Sequence, residues 1–425
     1  MQLSENILKY DHNNYLIVRF LITIKFLLAF ISIFLLALEA SSQNDSLATV
    51  LTLKQIIDSA LSNHPEIINA ELETVSAKTQ VKGALKIQPT EINYERGQRF
   101  SSLTDDKLEV QQNFGSPFTW RSEFNYANSF VGLKESKVRL TKAQVINRIK
   151  AAYYDCIYEM NRIKLLDSQR EIYSELAKKI DTLFKISDSR QLEKITAESK
   201  LAELISQSDE AYNDYLISKN SLIREAYLRS DFELSDVELE MYEIEFPVDT
   251  SQKIQLNLLS DYYNQHCMLA KASLKLENSK YYPEITAGYF NQSINGSKRF
   301  AGFQIGLIAP LWFFTQTSKR DEAIVKKQIA ENELNWQKFN TKNASEKLRI
   351  VLNKCFEKLN YYYDYALNQA DSIENIAIKQ FSSSPAVLNE CIQSIGIAYS
   401  VRLGYLETLN KYNQAAIELE LYSSY

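Results

Sequence analysis

The side chains in this 425-residue sequence best placed to do chemistry are carboxylates. Asp371 and Glu374 stand three apart in a helical pattern and therefore share a helix face. With Asp181, Asp188 and Glu390 they gather around two short polar breaks, KISDSRQ and SSSPAVLN, centred on Ser187 and Ser384. Such acids attract cations and repel anions, but catalysis would need further groups that the sequence does not supply. It contains no GxSxG, no HExxH, no P-loop and no Gly-rich loop. Past residue 42 the histidines are His64 and His266, neither near a second His or Cys at ligand spacing. Cys156, Cys267, Cys355 and Cys391 have no CxxC spacing and fall inside helical patterns, so they read as small apolar packing residues. The expectation is a protein that is not an enzyme and holds no cofactor and no resident metal.

The elements that carry these acids must be long. The chain has only 10 Gly and 7 Pro, well below the usual shares of about 7 % and about 5 %, so few turns are available. Charged residues make up 24 % and are scattered in heptad-like patterns, which favours amphipathic helices over disorder. A net charge of −5, a pI near 5.6 and the lack of a basic stripe interleaved with aromatics exclude nucleic acid as a partner. Near the start, Arg19 and Lys25 precede the apolar run Phe26 to Leu38 and the small residues EASSQ, the order of an export signal cleaved after Ala40 or Ser42. The alternative, an uncleaved anchor, would need a run of about 20 residues. No Cys near the cleavage site suggests a lipid anchor.

Two copies of one plan follow. Pro89 and Pro283 are offset by 194 residues, and Pro117 and Pro310 by 193. Each copy reads helix, strand, strand, very long helix, polar turn, returning helix. The expected organisation is a signal over 1–42, a first repeat over 43–229, a linker over 230–249 and a second repeat over 250–425. Strands are expected at about 90–100 and 107–116, then at about 284–293 and 301–311, with helical hairpins over 118–228 and 315–422. The tyrosine run YYYDY, Tyr361 to Tyr365, reads as interhelical packing within the second long helix.

The strands alternate. Phe303, Ile305, Leu307 and Ala309 fall on one side with Gln304 and Gly306 on the other, and Leu108, Val110 and Phe114 oppose Lys107, Glu109 and Asn113. Strands of about ten residues that are apolar outside and polar inside mark a membrane barrel. Tyr281, Tyr282, Trp312, Phe313 and Phe314 stand where strand meets helix, as an interfacial aromatic girdle would. Four strands cannot close a barrel, and lipid tolerates no open edge, so the chain must oligomerise. Three copies would supply twelve strands.

The whole mature chain resembles the TolC-like outer-membrane efflux proteins. LTLKQIIDSALSNHPEI, Leu51 to Ile67, is similar to the family's opening segment, with Asn63 and Pro65 supplying its Asn-x-Pro ending. LEKITAESK (Leu192 to Lys200), YLETLNKYNQAAIELE (Tyr405 to Glu420) and GYFNQSINGSKRFAGFQIGLIAPLWFF resemble the branch that serves heavy-metal RND exporters. The resemblance implies a mainly α fold with a membrane β-barrel: a homotrimeric channel-tunnel in the outer-membrane lipid, with a periplasmic helical barrel. An equatorial belt would be drawn from Ser230 to Asp249 and the chain ends. It also implies a periplasmic adaptor and an inner-membrane RND-type pump as partners. Ser187 and Ser384 stand where the family usually has Gly, which bears on the geometry of the adaptor-docking tips. Three-fold symmetry would turn each acid near the tips into a ring, making Asp371, Glu374, Asp181, Asp188 and Glu390 candidates for a pore gate. The competing expectations are a conduit for type I protein or peptide secretion and a periplasmic coiled-coil scaffold whose strand pairs are soluble hairpins.

Overall fold

The computed structural model describes residues 49–84, 87–98, 102–184, 191–228, 232–235, 238–243, 257–309, 312–384 and 388–422. The expected export signal, Ser187, Asp188 and much of the 230–249 linker lie outside the described residues. The chain divides into two compact units, Met1–Val50 with Ser230–Glu233, and Leu51–Arg229 with Leu234–Tyr425. The described part of the first lies in two short strands that pair with each other, β1 (Thr49–Leu51) and β4 (Phe232–Leu234).

In the second unit, helix α1 (Leu53–Asn63) opens with a capping box in which Thr52 and Gln55 each cover the other's backbone N–H. Helix α2 (Pro65–Lys82) follows at once. Pro65 is pre-set for a first helical position, and His64, capping from outside, accepts from the Glu66 N–H through Nδ1. That is the local use of the Asn-x-Pro segment. Helix α3 (Pro117–Phe184) runs 68 residues, about 100 Å at ~1.5 Å per residue. It is followed by α4 (Gln191–Ala226), α5 (Leu258–Ser279), α6 (Phe314–Tyr361), a π-helical turn (Tyr362–Ala366), α7 (Leu367–Ser383) and α8 (Leu388–Tyr422).

Helix α3 packs on α2, α4, α5 and α8, while α8 also packs on α6 and α7. Leu166, Tyr173 and Ile180 recur every seven residues on α3, with Leu176 between, and are buried with Leu204 and Ala211 of α4, Phe381 of α7, and Leu388 and Ile395 of α8. A seven-residue recurrence is the seam of a coiled coil. Each hairpin therefore covers the other's apolar stripe. A second cluster joins Leu348 and Leu352 of α6 to Ala416, Ile417 and Leu419 of α8 and to Tyr242. The Tyr242 segment is tied down by polar contacts as well: Asn413 accepts from the Tyr242 N–H at 2.8 Å, and Lys150 donates to both Tyr242 Oη and Glu420 at 2.7 Å.

The strands β2 (Glu91–Gly97), β3 (Asp105–Gly115), β5 (Glu284–Ile294) and β6 (Ser297–Ile308) form one antiparallel sheet in the order β2-β3-β5-β6. The two repeats meet at β3 and β5, and the sheet ends at β2 and β6. The second hairpin is tighter than the expected break between about 293 and 301. Asn295 and Gly296 turn the chain in two residues with φ of 52° and 74°, the left-handed pair of a type I′ turn. The buried Asp105 carboxylate accepts from the backbone N–H groups of both turn residues and from Ser293 Oγ, pinning this turn to β3.

Candidate functional site

Register decides which strand residues share a face. Ile92, Val110, Tyr289 and Phe303 lie across from one another, as do Tyr94 and Leu108, and Ala287 and Ile305. This face is apolar and open: Phe303 and Ile305 are each 85 % exposed and Leu307 71 %. The other face carries Glu109, which accepts from Gln304 at 2.6 Å and pairs with Lys107 at 2.6 Å, and Glu284, which accepts from Asn113 at 2.7 Å. One sheet surface is thus mainly hydrocarbon, with Gln112 and Asn291 among its residues, and the other is mainly a hydrogen-bonded polar lining, with Phe290, Phe300 and Ile308 set into it. A large exposed apolar patch of this kind meets a membrane or a partner, not water.

Where the strands join the helices, Tyr281 stacks on Phe313 at 5.7 Å, and Trp312 and Phe314 are exposed. Tyr282 stacks on Phe118 at 4.5 Å. Phe118 belongs with the expected aromatic girdle, and its place immediately after Pro117, the counterpart of Pro310 before Trp312, was the available signal.

Near the hairpin ends the acids are tied to cations. Arg402 of α8 donates through Nη1 to Glu374 at 2.7 Å and through Nη2 to Asp371 at 2.7 Å, so the two carboxylates on one face of α7 share a guanidinium. Its hydrogen bond to Glu374 is the main influence holding Arg402 in its charged form, against the opposing effect of burial. Arg402 was missed by the search for acids. No spacing in the sequence marks it, because it lies 28 residues from Glu374 and only packing brings the two together. Asp181 pairs with Lys194 at 2.6 Å, whereas Glu390 is exposed in the first turn of α8. The structure therefore joins Asp371 with Glu374 and keeps Asp181 with its own hairpin. Ser384 caps α7 with φ −142° and ψ 99°, an extended conformation that any residue adopts. Ser384 therefore sits there without backbone strain.

The second long helix runs on through the π-helical turn, and within the single chain the tyrosine run divides between packed and exposed rings. Tyr362 is buried, but Tyr361, Tyr363 and Tyr365 are 56 %, 71 % and 58 % exposed. Tyr362 meets the edge of Tyr405 at 6.1 Å and lies under the Lys358 ammonium. It needs Gly404 opposite, because a Cβ there would stand 2.5 Å from the Tyr362 hydroxyl. The cause of the π-helical turn is the spacing of the buried positions: Leu352, Cys355, Leu359 and Tyr362 alternate steps of three and four, and Ala366 and Ala370 then follow at four and four. One widened turn keeps both segments facing the same neighbour.

All four cysteines are buried and unpaired, and burial pushes the Cys156 thiol up to about 11. Among the described residues no cluster of His, Cys, Asp and Glu could hold a metal ion, and no helix is long and apolar enough to cross a membrane.

No family model and no curated protein matches the sequence. Solved structures do match. The Campylobacter jejuni CmeC outer membrane channel has a TM-score of 0.73 at 12 % identity, over 87 % of this chain and 85 % of that one. CusC, described in terms of folding and transmembrane channel formation, has a TM-score of 0.74 at 13 % identity, over 88 % and 92 %. The open state of the Neisseria gonorrhoeae MtrE outer membrane channel has a TM-score of 0.70 at 13 % identity, over 88 % and 89 %. At these identities the likeness is one of fold: this chain has the fold of TolC-like outer-membrane channels.

Proposed function

We propose that three copies of this chain form a passive export duct: a twelve-stranded barrel in the outer membrane, continued by a helical tube in the periplasm. The observation that carries this reading is the sheet. It has a hydrocarbon face opposite a polar one and ends at β2 and β6 with backbone groups that lipid cannot satisfy. Pairing β6 of one copy with β2 of the next meets that demand three times over and closes the ring. In this reading the duct serves a tripartite efflux pump, receiving cargo from an inner-membrane RND-type pump through a periplasmic adaptor that docks at the tips around Ser187 and Ser384. The segments resembling the heavy-metal branch support metal cations as the cargo. The Asp371–Glu374–Arg402 cluster, with Asp181, Asp188 and Glu390 nearer the tips, is the proposed gate region. A soluble scaffold is disfavoured by Phe303, Ile305 and Leu307, which would stand in water.

Native mass measurement on protein extracted from the outer-membrane fraction tests the assembly. A trimer is expected; a monomer recovered from the soluble periplasm overturns the duct. Export is tested by deleting the gene and measuring sensitivity to metal salts. Unchanged tolerance to every metal, with sensitivity to another cargo class, overturns the metal assignment alone.

A further inference from the structure

The start of α3 and the end of α5 enclose a shallow groove of about 510 Å³ just on the helical side of the girdle. Its walls are joined by Thr119, whose hydroxyl donates to the Ser279 carbonyl at 3.0 Å, and by the Phe118–Tyr282 stack. Two cations, Arg121 and Lys275, line it together with the hydrogen-bonding side chains of Ser122 and Asn278. Among the described residues neither cation makes an ion pair. The neighbouring acid Glu277 is held by Lys280 at 2.6 Å. Among the described residues no carboxylate lines the groove. At the same junction the buried Ser116 Oγ and Trp120 Nε1 lack hydrogen-bond partners.

Charge, polarity and depth select one kind of ligand. Two cations lining one groove with amide and hydroxyl groups suit a phosphate, which takes charge-assisted hydrogen bonds from several donors. The stacked ring pair closing the groove on one side is exposed, Phe118 at 61 % and Tyr282 at 49 %, and continues the girdle toward Ile285, the first outward apolar residue of β5. Aromatic girdles lie at head-group depth. A phosphate at this level is that of a membrane lipid, whose acyl chains would run up past Tyr282 along the apolar sheet face.

We propose that this groove is a binding site for the phosphate head group of an anionic glycerophospholipid in the periplasmic leaflet, clamped by Arg121 and Lys275, one per subunit. The inference rests on the duct reading, because it takes the girdle as the membrane boundary.

The test is native mass spectrometry of the full-length assembly released from micelles containing phosphatidylglycerol or phosphatidylcholine. The Arg121→Gln/Lys275→Gln variant is compared with Lys338→Gln/Lys347→Gln, which removes the same charge from exposed positions on α6. The parent should retain phosphatidylglycerol on the trimer in preference to phosphatidylcholine. The groove variant should lose about tenfold of it, and the control pair should keep it. Equal retention of the two lipids, or unchanged retention in the groove variant, overturns the site while leaving the trimer standing. Inorganic phosphate that binds lipid-free protein through Arg121 and Lys275, without any phosphatidylglycerol preference, overturns the lipid assignment. A monomer mass overturns the duct reading and this site with it.

Discussion

The charge count of the Arg402 cluster makes a signed prediction about ion selectivity. Each chain contributes two carboxylates and one guanidinium, which is one net negative charge, and a trimer three. Arg402→Gln doubles that to six, and Asp371→Ala with Glu374→Ala inverts it to three positive. Either change alters the ring by a multiple of three charges. A charge about 8 Å from a passing ion is worth roughly 0.5 kcal/mol in water, so three give about 1.5 kcal/mol. Screening over about 10 Å at 0.1 M salt reduces this to roughly 0.7 kcal/mol, about threefold in permeability ratio. Planar-bilayer reversal potentials under a salt gradient read it directly. Arg402→Gln should raise cation preference by about threefold and strengthen block by divalent ions. The double acid variant should shift the potential the other way, by more. Glu374 is only 17 % exposed, so losing Arg402 also leaves a partly buried carboxylate without its partner, at a cost of about 1–3 kcal/mol. The thermal midpoint of the Arg402→Gln trimer should fall accordingly. Reversal potentials that match the parent in both variants, or that shift with the same sign, refute a lumen-facing cluster and move the gate to Asp181, Asp188 or Glu390.

A charge on the outward sheet face is expected to cost about 2–4 kcal/mol near the membrane midplane, so Ile305→Lys should lower the fraction of chain recovered as folded trimer from the outer membrane while Gln304→Lys is tolerated. Gly404→Ala should cost about 1–3 kcal/mol by driving a methyl into the Tyr362 hydroxyl, and adding Tyr362→Phe should recover much of it, as measured by thermal midpoint. A short flexible insertion at Ser384 should leave trimer assembly intact and abolish adaptor docking in a crosslinking assay. Cys156 should resist alkylation at pH 8 in the native protein and react after denaturation, because its thiol is buried and pushed up to about 11.

How far the sequence could be read depended on whether the relevant force acts along the chain or across it. The strand alternation, the duplication and the junction aromatics are periodic or positional, so Phe303, Ile305 and Leu307 could be assigned to one face from spacing alone. The Asn295–Gly296 turn was legible too, as an Asn-Gly pair between alternating runs, and it corrects the expected strand limits. Arg402 was not legible. Its role arises between α7 and α8, 28 residues from Glu374, where only packing brings guanidinium and carboxylate together. Which ring of the tyrosine run turns inward within the chain was not legible for a similar reason: composition favours packing of the run as a whole, and the backbone's local phase decides that Tyr362 is the one buried.

That phase also separates the two repeats. Pro117 and Pro310 are offset by 193 residues and Ser187 and Ser384 by 197, so the sequence holds four more residues between Pro310 and Ser384 than between Pro117 and Ser187. Four residues inserted into a seven-residue recurrence is a stutter, which locally unwinds a coiled coil. Within the second hairpin the π-helical turn adds a further shift of one residue, about 100° of phase. The following Ala366, Ala370, Ala377 and Phe381 stay buried, and α7 remains against α8. The first hairpin needs no such device, and α3 continues without interruption from Pro117 to Phe184. Asp371 and Glu374 come within two turns after the π-helical segment, on the helix whose phase it sets. Removing one residue from Tyr361–Tyr365 would restore ordinary helical spacing and rotate α7 by about 100° at ~3.6 residues per turn, carrying both acids away from Arg402.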